Sequence, residues 1–364
     1  MTAVASLPRL RPRIYIGVVA AFFVLAAASV SWSPHSLPLL DLSAGAAVSE
    51  VPRIGLLVLA AGAIIAATNV LDAGRARLVA RVGLAAFLVQ IVIVVVLTLF
   101  ERQAIAFFYP GKPDDEGVQN ISRNCLYMAA AFPFVAMGLS EMRNRVLGLA
   151  LVALVFAAES VVLLYREVHA GLLAIAAAAV CYGIIRFAPR HGFRIIGALA
   201  ALGILSAPFV FHWISAGMTG SAAATSAQYR QAIWARVLEI IQDQPLIGHG
   251  VGALRTYRET IPAGEFQGQL LIPNHPHNMA LQLWAEMGLA GAALLSLAIV
   301  LAAFRLPRPA DLGPVAPRIA MLAGVTLAIG IVSFDLWNPG WWGAVALLSI
   351  LCAVEARKHF AVKG

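Results

Sequence analysis

Charge is what this sequence has least of. Only 12% of its 364 residues are charged, and 61% are hydrophobic. A soluble domain has about a quarter of its residues charged, so a water-soluble globular chain is excluded. Cysteine is nearly missing: Cys125, Cys181 and Cys352 lie far apart in the chain. They form no disulfide framework and no metal-ligand spacing, and read as small apolar helix residues. No glycine-rich fingerprint follows a candidate strand, and no phosphate-loop lysine is present, so nucleotide energy is not expected. Alternating apolar and polar residues are lacking too, which argues against a membrane β-barrel.

What the sequence has is long apolar runs, at 14–32, 54–71, 82–100, 121–139, 146–165, 170–187, 195–214, 278–304, 319–337 and 341–355. A helix crossing the bilayer core needs about 20 such residues. The chain therefore reads as an all-α, polytopic helical membrane protein with about ten transmembrane helices, twelve at most. Without a repeat or interdomain linker, 1–364 reads as a single integral membrane domain. The first run has arginines before it and no small-residue cleavage site, and is expected to be a retained span. The net charge of +8 does not require nucleic acid as a partner, because the positive-inside rule accounts for it. With a cytoplasmic N-terminus, the inner segments hold Arg9, Arg11 and Arg13, Arg75–Arg81, Arg143 and Arg145, Arg186–Arg194, Arg305–Arg318, and Arg357, Lys358 and Lys363. That is most of the 26 Lys+Arg, and it places both termini in the cytoplasm.

Two outer connections are long. One covers about 101–120, where Asp114, Asp115 and Glu116 read as a solvated turn in preference to a metal site. The other, 215–277, is the large outer loop, the longest non-spanning stretch of the chain. Within it, 226–245 carries Tyr229, Ile233, Val237, Ile240 and Ile241 at helical spacing before Pro245. This predicts an amphipathic helix near the outer interface. Gly248, Gly250 and Gly252 follow and predict a tight turn with close backbone approach.

The loop re-enters the membrane at "NHPHNMALQLWAEMGLAGAALL" (274–295). The helix at 278–304 would be about 40 Å long, more than the ~30 Å core. Its first turns should then stand at the interface, with His275 and His277 meeting water and headgroups. Asn278, Gln282 and Glu286 recur every fourth residue as one polar stripe. Other polar residues gather at the same face: Arg123 with Asn124, Glu159 with Arg166 above it, His169, and Asp335 with Asn338. Each has a bland reading alone. A terminal arginine is commonly a snorkelling anchor, Glu159 pairs with a neighbouring arginine, and Trp337, Trp341 and Trp342 form an interfacial aromatic belt. Their convergence is the signal, since ionisable groups in spans usually face a cavity or a partner.

A cationic, histidine-bearing mouth within lipid suits a lipid-linked phosphate or pyrophosphate. Arginine grips phosphate oxygens as a fork and stays charged. Histidine, with an ordinary pKa near 6.5, suits taking a proton from an acceptor hydroxyl. The segment "HPHNMALQLWAEMGLAGAALL" resembles the signature of the O-antigen ligase and polymerase superfamily, and "RQAIWARVLEIIQDQPLIGHGVG" (230–252) is similar to that family's arginine–tryptophan helix and glycine turn. The resemblance implies a GT-C-like, inverting membrane glycosyltransferase without metal or cofactor, in the bacterial inner membrane with its site facing the periplasm. It implies an undecaprenyl-pyrophosphate-linked glycan as donor, a lipid A–core sugar or growing glycan as acceptor, and membrane lipids as surroundings. By motif position, His277 matches the essential histidine, with His275 beside it, and Arg230 matches the loop arginine. The stretch "YREVHAGLLAI" (165–175) stands where the family carries a further phosphate-binding arginine, leaving Arg166 or His169 for that role. Arg123, Asn278, Glu286 and Glu159 are further substrate-site candidates. Ligase, polymerase and protein O-glycosyltransferase share this donor chemistry. The reading outside the family is a transporter or flippase of a lipid-linked anion.

Overall fold

The structure, a computed structural model, describes residues 12–35, 49–108, 110, 114–217, 225–262 and 267–360. Arg9, Arg11, Lys112, Lys363 and part of the 215–277 loop lie outside the described residues. The protein is 81% helical, and no strand occurs among the described residues. The helices are α1 (Pro12–Ser29), α2 (Glu50–Ala67), α3 (Ala73–Leu99), α4 (Glu101–Phe108), α5 (Asp114–Ser140), α6 (Arg145–Tyr165) and α7 (His169–Phe187). There follow α8 (Gly192–Gly217), α9 (Thr225–Asp243), α10 (Met279–Arg305), α11 (Pro309–Leu312), α12 (Ala316–Val332) and α13 (Pro339–Phe360). All ten apolar runs fall on helices. Among the described residues, eight helical segments are long and apolar enough to cross a membrane, which makes this a multi-pass membrane protein. The two runs outside the eight are α1, which is shorter, and α5, whose first turns are polar.

Local chemistry sets the helix starts. The side chains of Ser49, Asp72, Asn144 and Asn278 each accept a hydrogen bond from a backbone N–H of the first turn, satisfying donors a helix leaves orphaned. α7 packs along α12, and α8 along α10, while α13 lies against α2 and α3.

Three expectations change. The 101–120 stretch is not a loop: α4 occupies its first part, and α5 begins at Asp114. Asp114, Asp115 and Glu116 open that helix, and Arg123 falls in its third turn. The run 319–337 ends as helix at Val332, because Asp335 Oδ1 and Asn338 Oδ1 accept from the backbone N–H groups of Trp337 and Trp341 at 2.9 Å each. Such local bonds offer the chain an alternative to the helical ladder.

The third change concerns α10, which is broken at Gly288 (φ 58°, ψ −159°). The 245–252 turn fills the break. His249 and Gly250 donate to the carbonyls of Ala285 and Glu286 at 2.9 and 2.8 Å, and Leu289 and Ala290 donate to those of Pro245 and Leu246 at 2.8 and 3.0 Å. Gly248 (φ 66°) and Gly288 allow this approach, because a Cβ on either would strike the other segment's backbone. Irregular backbone at membrane depth is tolerated only inside protein, and every residue from Met279 to Met287 is buried. The upper part of α10 is thus a protein-enclosed helix.

Candidate functional site

The site is built around the first residue ahead of α10's cap. Asn278 caps the helix by accepting from Leu281 N–H at 3.0 Å. His277 precedes it with φ 53°, a left-handed conformation unusual for a residue with a Cβ. Strain of this kind costs about 1–3 kcal/mol and gathers at functional sites. The His277 ring places Nδ1 3.1 Å from the Ser333 carbonyl oxygen. A carbonyl only accepts, so Nδ1 carries the hydrogen and Nε2 keeps its lone pair. His275 Nδ1 accepts from His277 N–H at 3.1 Å, and the two rings lie 4.4 Å apart. α9 holds this lip from the side: Trp234 Nε1 donates to the Pro276 carbonyl at 3.0 Å and Tyr229 Oη to that of Leu270 at 2.7 Å.

Arg230 stands one turn before Trp234 on α9. It is half-buried and has neither a hydrogen bond nor an ion pair with any described residue. Burial pulls its pKa down, as expected for a cation held without a counter-charge. His277 is lowered from 6.5 to about 3, first by burial and then by the nearby charges of His275 and Arg230. His275 is lowered too, chiefly by burial. Both histidines are therefore only half-accessible, not standing freely in water and headgroups as expected, and His277 is neutral at physiological pH.

Behind them the polar stripe is fully enclosed. Asn278, Gln282 and Glu286 have no exposed surface. Gln282 Nε2 donates to Asp335 Oδ1 at 2.7 Å and to Glu286 Oε1 at 3.2 Å, and its Oε1 accepts from Leu336 N–H at 2.8 Å. Glu286 Oε2 accepts from Trp337 Nε1 at 2.5 Å. Asp335 also pairs with Arg255 at 2.9 Å, and Arg255 with Glu50 at 3.2 Å. Arg255 and Ser333 were not singled out from sequence. The only available hint to Arg255 was its place just past the turn glycines, and a backbone carbonyl such as that of Ser333 leaves no sequence signal.

The other candidates separate from this group. Arg123 is exposed and bonds Asn120 at 3.1 Å, though its charge reaches His275. Arg166 is already taken: its guanidinium pairs with Glu101 and donates to the Val118 carbonyl and Ser122 Oγ. Glu159 is buried with no hydrogen-bond partner among the described residues, so it does not make the expected pair with a neighbouring arginine, Arg166 included. The reason is that Arg166 lies past the end of α6 and turns toward α4 and α5. His169 is exposed at the start of α7. The tryptophans are not an interfacial belt, since Trp337 and Trp341 are 2% and 0% exposed. Trp341 stacks on Phe334, and Trp342 Nε1 donates to the Leu336 carbonyl.

An apolar cavity of about 470 Å³ runs from beside the lip down between α8, α10, α12 and α13. Met279, Ala280 and Leu283 line its wall on α10, and Trp342 its wall on α13. Among the described residues, metal-ligating groups cluster only at Glu141, Glu355 and His359. That cluster joins the ends of α5 and α13, and Arg318 and Lys358 already bridge its carboxylates.

Residues 128–296 match the family model described as O-Antigen ligase. The match places that stretch, from α5 into α10, in the O-antigen ligase/polymerase superfamily and supports a ligase- or polymerase-type glycosyltransferase. It takes in His275, His277 and Arg230. Neither the curated proteins nor the solved structures give a match.

Proposed function

We propose that the protein is an O-antigen ligase-type glycosyltransferase of the bacterial inner membrane. It moves a glycan from undecaprenyl pyrophosphate to a hydroxyl of a lipid A–core sugar on the periplasmic side. The observation that carries this reading is one juxtaposition: a neutral His277 with a bare Nε2, a half-buried Arg230, without a counter-ion among the described residues, whose charge reaches His277, and an apolar cavity whose wall includes Met279 and Ala280, the residues that follow the Asn278 cap. The cavity suits a lipid tail, Arg230 the pyrophosphate, and Nε2 the acceptor hydroxyl.

In the proposed step His277 Nε2 takes the hydroxyl proton while the hydroxyl oxygen bonds to the donor's anomeric carbon. The bond from that carbon to the pyrophosphate oxygen breaks, and the lipid pyrophosphate leaves with the electron pair. Arg230 stabilises the charge that develops there. A base with a pKa near 3 is weak in the free protein. Arg230 is one cause of that depression, so a bound pyrophosphate offsets it and strengthens the base when the donor is in place.

The test is transfer by purified protein from lipid-linked glycan to a core acceptor. Arg230→Ala should abolish transfer with protein yield unchanged, and Arg230→Lys should restore only part, because a point charge lacks the fork. Full activity of Arg230→Ala contradicts the clamp. In cells, deletion should give uncapped lipopolysaccharide and accumulated lipid-linked polymer. Lipopolysaccharide carrying single repeat units would instead mark a polymerase.

A further inference from the structure

We propose that Gln282 is a positioning residue for His277, acting through the segment 333–338; this rests on the reading of His277 as the base. The partner that fixes the His277 tautomer is not a carboxylate but the Ser333 carbonyl, 3.1 Å from Nδ1. Ser333 lies just past the end of α12, with non-helical φ −141° and ψ −70°. Its N–H still donates to the Ile329 carbonyl at 3.0 Å, but its own carbonyl belongs to the peptide plane that opens the connection between α12 and α13, so the orientation of that carbonyl depends on what holds the connection.

Gln282 holds that connection at two adjacent residues. Its amide nitrogen donates to Asp335 Oδ1 at 2.7 Å, and its amide oxygen accepts from Leu336 N–H at 2.8 Å. A primary amide supplies donor and acceptor from one side chain, which neither a carboxylate nor an apolar residue does. Gln282 is itself fully buried and is oriented by a second donation to Glu286 Oε1 at 3.2 Å. Trp337 Nε1 donating to Glu286 Oε2 ties the same connection to the next turn of α10.

The geometry closes on itself. The His277 backbone is set by the start of α10, which Asn278 caps. The ring's only described hydrogen-bond acceptor is set by the same helix, five positions further on. Losing the Gln282 bonds lets Ser333 drift from Nδ1. The hydrogen is then free to move to Nε2, where a base needs its lone pair. Arg230 sits on α9, outside this loop of contacts, so donor binding should be spared.

The experiment uses the purified full chain in the donor–acceptor transfer assay. Gln282→Leu should lower kcat about 10–100-fold, the scale of a small misplacement of a reacting group, with KM for the donor within about threefold. Combined with His277→Ala it should be no slower than His277→Ala alone, because residues acting in series are non-additive. Asp335→Asn, whose Oδ1 still accepts from Gln282, should lose far less kcat than Asp335→Ala. If Gln282→Leu fails to give monodisperse protein, the Asp335 pair carries the same comparison. A kcat loss within threefold, a loss confined to KM, additivity with His277→Ala, or equal losses for the two Asp335 variants overturns the proposal. Those results with a normally impaired His277→Ala sink the positioning role alone. A fully active His277→Ala sinks the base reading beneath it.

Discussion

Arg166 pairs with Glu101 across the gap between the end of α6 and the start of α4. The arginine side chain is 7% exposed and its other donors go to Val118 and Ser122. A guanidinium so engaged is holding three helices together, and it has little left for a phosphate. Breaking a buried pair costs about 3–5 kcal/mol, less where one partner is partly wet as Glu101 is. Arg166→Ala and Glu101→Ala should therefore lower thermal stability alike in detergent. Their transfer rates below the melting range should also match. Loss of turnover in Arg166→Ala with a fully active, equally destabilised Glu101→Ala would return Arg166 to the phosphate site.

Gln267 is exposed in the connection between α9 and α10. The positive-inside rule assigns the arginine-rich ends of the spans to the cytoplasm, so a cysteine in place of Gln267 should react with an impermeant reagent from the periplasmic side of intact cells. Labelling only after the cytoplasm is opened reverses the topology and with it the side on which transfer occurs.

His277 also sets a pH signature. Its pKa is near 3 in the fold and about 6.5 in an unfolded chain. As pH falls from about 6.5 toward 3 the unfolded chain takes up this proton and the folded one does not, so folding stability falls across that window; above it His277 contributes no pH dependence. His275 acts in the same direction. For turnover, kcat/KM reports the free protein. It should show no loss centred at 6.5 between pH 8 and pH 5. A tenfold fall between pH 7 and 5.5 in kcat/KM, removed by substituting His277, contradicts the buried, depressed imidazole.

The helices were legible because each needs a run of apolar residues, and the runs at 14–32 through 341–355 give that directly. The lip was legible because His275, His277 and Asn278, interrupted only by Pro276, are polar residues ahead of an apolar helix. Periodicity also found the stripe Asn278–Gln282–Glu286, and the turn glycines foretold close approach. What they approach was not legible: Gly248 meets the backbone at Glu286, and the break at Gly288 exists because another segment supplies the missing hydrogen bonds. The fates of Arg123, Arg166 and Arg230 were hidden for a related reason. All three look alike in sequence, and only packing decides that Glu101 occupies Arg166, Asn120 bonds an exposed Arg123, and no described residue pairs with Arg230.

We propose His277 as the base, held at the lip because the donor's tail lies in the bilayer while the acceptor hydroxyl comes from water. This assignment is tested most directly by single-turnover transfer with purified wild type and His277→Ala at saturating lipid-linked donor and core acceptor, with and without EDTA. His277→Ala should lose about a hundredfold or more, the usual scale for a positioned base, and EDTA should leave the wild type unaffected. Near-normal turnover by His277→Ala, or inhibition by EDTA that a divalent metal reverses, contradicts the assignment.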